Sequence, residues 1–152
     1  MIRKQGNAPC SRNKSWPTTD LSDEAEQAVD YACELARTLD AQIHLLNVIS
    51  IPALGVPELG SGLTSSIIDQ LVSDNQAALD RLARTKCTAE VGRVMVKTGN
   101  ACDVINQTAK ELGADLIVMG THGRHGISRA LLGSVAETVV RSAPCAVLTV
   151  RM

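Results

Sequence analysis

From Ser22 onward the apolar residues recur at helical spacing, with Ala25, Ala28, Val29, Ala32, Leu35, Ala36 and Leu39 on one face. Ser22 is placed to cap this helix, and Asp23 and Glu24 complement its positive end. A dense apolar segment follows: Ile43, Leu45, Leu46, Val48 and Ile49. It is too short for a typical helix and too apolar for a surface strand, so it reads as a buried strand. Ile51 to Gly62 is rich in Gly and Pro yet carries Leu54, Val56 and Leu59, which predicts a loop serving as lid or interface. Helical period returns with Ile67, Ile68, Leu71, Val72, Ala78, Leu79 and Leu82, and a strand then runs through Val91, Val94, Met95 and Val96. Asn100 with Asp103 opens another helix as a variant capping box; Val104, Ile105, Ala109 and Leu112 form its apolar face, and Gly113 closes it. Leu116 to Met119 is a further buried strand, a helix begins at Ser134, and a last strand takes Ala146, Val147, Leu148 and Val150. Strands alternating with helices predict an α/β fold: one open parallel sheet with helices on both faces.

Composition agrees with that pattern. A chain of 152 residues is sized for one domain. With no Phe, one Trp and one Tyr, its core is built from aliphatic residues, which suits parallel strands under Ala-rich helices. The formal net charge is −1 with basic and acidic residues interspersed, and stacking aromatics are scarce, so nucleic acid is not the expected partner. Cys10, Cys33, Cys87, Cys102 and Cys145 are odd in number and widely spaced, which predicts free, mostly buried thiols in a reducing compartment. Cys10, in a polar stretch, is the one expected to react. Gly6 to Trp16 lacks the apolar run of a signal peptide, and no segment reaches membrane-spanning length. A cytoplasmic protein without a membrane partner is expected.

The chemistry concentrates after Met119. Gly120, Thr121, His122 and Gly123 are followed by nine residues and then Gly133 and Ser134, with Gly126 between. Glycines here let backbone amides approach an anion, and Ser134 with Glu137 has the spacing of a capping box at a helix N-terminus, where the dipole favours negative charge. His122, Arg124, His125 and Arg129 add positive charge over a polyphosphate. The spacing is neither GxxxxGK[ST] nor GxGxxG. On spacing alone a long flexible turn is the competing reading. His122 and His125 by themselves are too few for a metal site, which normally needs three or four ligands. Glu137 as a general base is the lesser alternative to its capping role.

Gly120, Gly123, Gly133 and Ser134 in this spacing resemble the ATP-binding signature of the universal stress protein family, as do GADLIVMGTHGR, LLGSVAETVVRSAPCAVLTV, TTDLSDEAEQAVDYACELA and IHLLNVIS. The resemblance spans Thr18 to Arg151. It implies an open parallel five-stranded sheet with helices on both faces, Rossmann-like and of the adenine nucleotide alpha hydrolase-like kind. It also implies a homodimer paired through the last strand (Ala146 to Arg151) and ATP held without a conventional catalytic apparatus, Mg2+ or Mn2+ bridging the phosphates. By position, Thr18, Thr19 and Asp20 border adenine and ribose, and Val48 packs on the base. Met119, Gly120, Thr121, His122, Gly123, Arg124, His125, Gly126, Gly133, Ser134, Val135 and Ala136 surround ribose and phosphates. Ala136 stands where some ATP-binding relatives have Thr.

The family's first strand is an aliphatic run ending at the Asp matched by Asp20, whereas this chain has NAPCSRNKSWPTTD. Asn13, Lys14 and Ser15 are ill suited to a buried strand, and Pro17 donates nothing to a ladder. Losing about four buried aliphatics at ~1.5 to 3 kcal/mol each removes roughly 6 to 12 kcal/mol. The central first strand therefore reads as missing: either Ser11 to Thr18 runs extended with poor packing, or the segment is an altered start, or dimer contacts support the sheet. The chain accordingly divides into an atypical, weakly packed leader over 1–17 and a nucleotide-binding domain over 18–152. The function expected is an ATP-binding regulatory protein with an unknown protein partner, not an enzyme; the alternatives are a dimeric interaction module that has lost nucleotide binding, or a slow ATPase.

Overall fold

The computed structural model describes residues 14–19, 23–50, 61–121 and 133–151. Within them the order is β1 (Lys14–Thr19), α1 (Asp23–Thr38), β2 (Gln42–Ile49), α2 (Ser61–Lys86), β3 (Val91–Thr98), α3 (Ala101–Leu112), β4 (Leu116–Gly120), α4 (Ser134–Ser142) and β5 (Ala146–Val150). The five described strands form one parallel sheet in the order β3-β2-β1-β4-β5. This is the α/β architecture the alternating pattern predicts.

Neighbouring residues of the inner strands feed opposite layers. Ile43, Leu45 and Val118 pack with Val29, Ala32, Cys33 and Ala36 of α1 and Leu79, Leu82 and Ala83 of α2. Leu46, Ile117 and Met119 pack with Ile105 and Ala109 of α3 and Ala136 and Val139 of α4. The sheet is thus covered on both sides, which is why β2 and β4 read as apolar runs rather than alternating patterns.

The strand that composition argues against is present. The backbone of Lys14–Thr19 lies extended between β2 and β4, so the strand is not missing; its first residues come from the stretch read as a leader. Its register with β4 is continuous from Ser15 to Thr18. Along β2 it pairs at Lys14, Ser15, Thr18 and Thr19 and lapses at Trp16 and Pro17, where the proline has no N–H to give. Main-chain pairing on two sides is independent of side-chain polarity, and that is what the residue-type argument could not weigh. Residues 1–13, including Cys10, lie outside the described residues.

Three further expectations change. The stretch expected to be a loop to Gly62 ends earlier, because Ser61 and Gly62 already belong to α2; its other residues, 51–60, lie outside the described ones. Ile67 and Leu71, placed on a core face by their period, are exposed, as is Leu39 just beyond α1. A helix of 26 residues is about 39 Å long at ~1.5 Å per residue. The strand beneath it has 8 residues and spans about 26 Å at ~3.3 Å each. α2 is therefore longer than the strand beneath it, and among its residues of described burial the first buried one is Leu79. Finally, Cys33 is buried as expected but is not a free thiol: it is bonded to Cys87. Cys102 and Cys145 are free.

Candidate functional site

β1, β2 and β3 are laid down outward in one direction, and the chain then crosses back through α3 to place β4 on the far side of β1. α1 and α2 cover one face and α3 and α4 the other, so the carboxyl ends of β1 and β4 form the topological switch point where open α/β sheets bind ligands. Register brings Thr18 level with Met119 on one side and Leu46 on the other, and Thr19 level with Asn47. Val48, one residue further along β2, packs against the cluster that contains Met119 and Ala136. Of the residues expected at the site, Thr18, Thr19, Val48, Met119, Gly120, Thr121, Gly133, Ser134, Val135 and Ala136 are among those described. Asp20, His122, Gly123, Arg124, His125 and Gly126 lie outside them, as does Arg129.

Two hydrogen bonds fasten the mouth of the glycine-rich stretch. The Thr121 N–H donates to the Val150 carbonyl at 3.1 Å, and the Thr121 carbonyl accepts from the Gly133 N–H at 2.7 Å. The chain therefore leaves β4 and returns to it at one point. The start of α4 is thereby held against the end of β4.

The capping of α4 differs from the sequence expectation. Gly133, not Ser134, is the N-cap, with φ −61° and ψ 150° and no side-chain cap bond; Ser134 is the first helical residue. The Gly133 N–H is committed to Thr121, which keeps Gly133 extended and starts the helix one residue earlier than the Ser–Glu spacing implies. No capping box forms, and the Glu137 carboxylate instead accepts from Arg141 at 2.9 Å. α3 is the contrast: Asn100 Oδ1 accepts from the amides of Cys102 at 3.0 Å and Asp103 at 3.3 Å, as its sequence predicts. The opening amides of a helix have no intrahelical partner. In α4 the N-cap is a glycine with no side chain to take their place, and Ser134 and Val135 are exposed beside the switch point. A helix end of this kind carries roughly half a positive charge and is suited to an anion.

Asn47 is the site-proximal residue that pattern reasoning passes over. It is buried at the carboxyl end of β2, and its signal is a polar residue inside an otherwise apolar run. Elsewhere, a groove of about 460 Å3 beside β3 is lined by Val72, Val96, Lys97, Val104 and Gln107, among others, and shares no residue with the switch point. Its Lys97 ammonium is already engaged, donating to Thr108 Oγ1 at 3.0 Å and Glu111 Oε2 at 3.1 Å. The hydrogen bond from Lys97, with that from Gln107, holds the Glu111 carboxyl below its ordinary value. Among the described residues no group of three or more His, Cys, Asp or Glu side chains is arranged to hold a metal ion, and no helix is long and apolar enough to cross a membrane.

Residues 17–151 match the model of the universal stress protein family. The chain belongs to the universal stress protein family. Among its relatives in that family, the universal stress protein MJ0531 of Methanocaldococcus jannaschii is 36% identical over 138 residues, which covers 88% of this chain and 78% of the relative. The solved structure of the universal stress protein UspA from Lactobacillus plantarum superposes with a TM-score of 0.78 at 26% identity, covering 93% of this chain and 99% of that one. A universal stress protein solved in complex with cAMP is also 26% identical, with a TM-score of 0.62 and coverage of 92% and 97%.

Proposed function

We propose that this universal stress protein binds ATP at the β1/β4 switch point and works as a nucleotide-dependent regulator rather than by turnover. The observation that carries this reading is the uncapped N-terminus of α4, held beside β4 by the Gly133 N–H bond to Thr121. Phosphates would take the amides of Ser134, Val135 and Ala136, with Mg2+ or Mn2+ bridging them on the solvent side, and the base would lie toward Thr18, Thr19 and Val48. Support for an adenine nucleotide comes from the relative solved with cAMP. The exposed Glu137 carboxylate, paired to Arg141, is poorly placed to serve as a general base. The reading includes a cytoplasmic homodimer formed through β5, an edge strand of the sheet, and a protein partner whose affinity depends on the nucleotide.

Titration calorimetry with ATP and magnesium tests the site. Ser134→Pro removes one amide and one hydroxyl at a position where proline suits a helix start. It is expected to weaken ATP binding by roughly tenfold, about the value of one charge-assisted hydrogen bond, while leaving the apo Tm in place. Absence of binding at millimolar ATP would sink the proposal. A second reading, a dimeric module without nucleotide, is favoured by Ala136, whose buried methyl offers no hydroxyl contact. It predicts a Tm indifferent to ATP and a dimer that persists in sedimentation without nucleotide.

A further inference from the structure

Cys33 lies in the second half of α1 and Cys87 directly follows α2; the two are bonded across a sequence separation of 54, with their Cα atoms 5.1 Å apart. Their surroundings are unequal. Cys33 is 3% exposed, inside the cluster under α1 and α2. Cys87 is partly exposed and forms a wall of an open groove of about 400 Å3, together with Asp80, Ala83, Arg84, Ala89 and Val91, among others. Beside the bond, Lys86 Nζ meets Asp30 Oδ2 at 3.0 Å, one turn of α1 from Cys33. That ion pair is too exposed to hold the two helices together unaided. The described buried residues of α2, Leu79, Leu82 and Ala83, all lie toward this same end. The bond therefore secures the only part of the described α2 that is packed into the core.

We propose that Cys33–Cys87 is a reversible thiol-exchange site, reached through the Cys87 groove by a small-molecule thiol of the glutathione class, and that it controls how firmly the C-terminal end of α2 is held to α1. The thiolate attacks Cys87 Sγ, forming a mixed disulfide there while the Cys33–Cys87 bond breaks and Cys33 leaves as a thiolate, to be protonated by water. A second thiolate attacks the small-molecule sulfur of the mixed disulfide, releasing the Cys87 thiolate and a symmetrical small-molecule disulfide. Two thiols are oxidised and one protein disulfide is reduced; the small-molecule disulfide reverses the sequence. Burial directs attack to Cys87. The nearness of Cys33 in the folded chain favours re-closure from the mixed disulfide.

The test uses the full chain equilibrated in glutathione buffers from fully reduced to fully oxidised, quenched with acid, labelled with a maleimide and mapped by peptide mass spectrometry, with amide exchange followed across residues 79–91. Cys33 and Cys87 are expected to gain label together in one transition. Exchange in this segment should be roughly tenfold faster in the reduced form, as for a local opening that has lost a tether. In Cys33→Ser treated with oxidised glutathione, the adduct should form on Cys87. Label on both cysteines in fully oxidised buffer, a bond that survives excess dithiothreitol, or equal exchange in the two forms would each overturn the proposal. If Cys33→Ser does not fold, the titration and exchange of the unaltered protein decide the matter alone.

Discussion

Glycines at positions 92 and 113 are required for different reasons. At Gly113, φ is +60° and no atom lies within 4 Å of an added Cβ, so Gly113→Ala meets only backbone strain, about 1 to 2 kcal/mol for an L-residue in the left-handed region. At Gly92 the obstacle is space: an added Cβ would sit 2.5 Å from His44 Cε1 and 2.7 Å from Nδ1. That imidazole is fixed because Nδ1 accepts from the Arg93 N–H at 2.9 Å, where the β2–β3 register shifts and the ladder alone leaves this donor over. Gly92→Ala should cost about 1 to 3 kcal/mol by urea denaturation, and Gly92→Ala with His44→Ala should cost less than the sum of the two single changes. A third residue-scale effect concerns Cys145. Burial, then the charge of Asp115, pushes its thiol above the ordinary value, with a partial offset from the backbone at Ile117. Since only the thiolate alkylates, labelling of Cys145 by iodoacetamide should be slow at neutral pH and rise with alkalinity later than for a free cysteine in a peptide; equal profiles would contradict the burial argument.

Helix ends show how local motifs are settled by neighbours. α3 is closed as its sequence suggests, by Asn100 at the start and by Gly113 at the end, where the Gly113 N–H bonds to Lys110 and the Ala114 N–H to the Ala109 carbonyl in a Schellman arrangement. α4 has an equally persuasive local signal in Ser134 and Glu137, yet the Thr121 carbonyl claims the Gly133 N–H and moves the cap to Gly133. Asn100→Ala should therefore lower stability by about 0.5 to 2 kcal/mol, whereas Ser134→Ala should cost less than about 0.5 kcal/mol in the nucleotide-free protein. Thermal denaturation of the two variants side by side distinguishes a real cap from a sequence match. A loss of similar size in Ser134→Ala would restore the capping box.

One sheet serving two cores governs the whole molecule. Leu45 and Leu46 are adjacent in β2 and both are fully buried, the first under α1 and α2 and the second under α3 and α4. Leu45→Ala and Leu46→Ala are each expected to cost about 2 to 5 kcal/mol in chemical denaturation, where a sheet with one solvated face would tolerate one of them. Within the sheet β1 is held by main-chain pairing along β2 and β4. The strand order also sets the β1/β4 switch point, where the proposed anion site rests on backbone geometry more than on any charged side chain described.

How much of this was legible in the chain depends on the range of the interaction involved. Periodicity over a few residues marked α1, β2, β3, α3, β4, α4 and β5, because the face an element buries is written in its own 3.6- or 2-residue repeat. The Gly120–Ser134 spacing marked the start of α4, where the proposed anion site lies, for the same reason, since amides at a helix start are a local property. Four features were decided only by tertiary structure: the strand formed by Lys14–Thr19, the cap at Gly133, the exposure of Ile67 and Leu71, and the bond between Cys33 and Cys87. Each depends on partners remote in sequence or on how far one element extends past another. Residue type and local spacing carry no record of either.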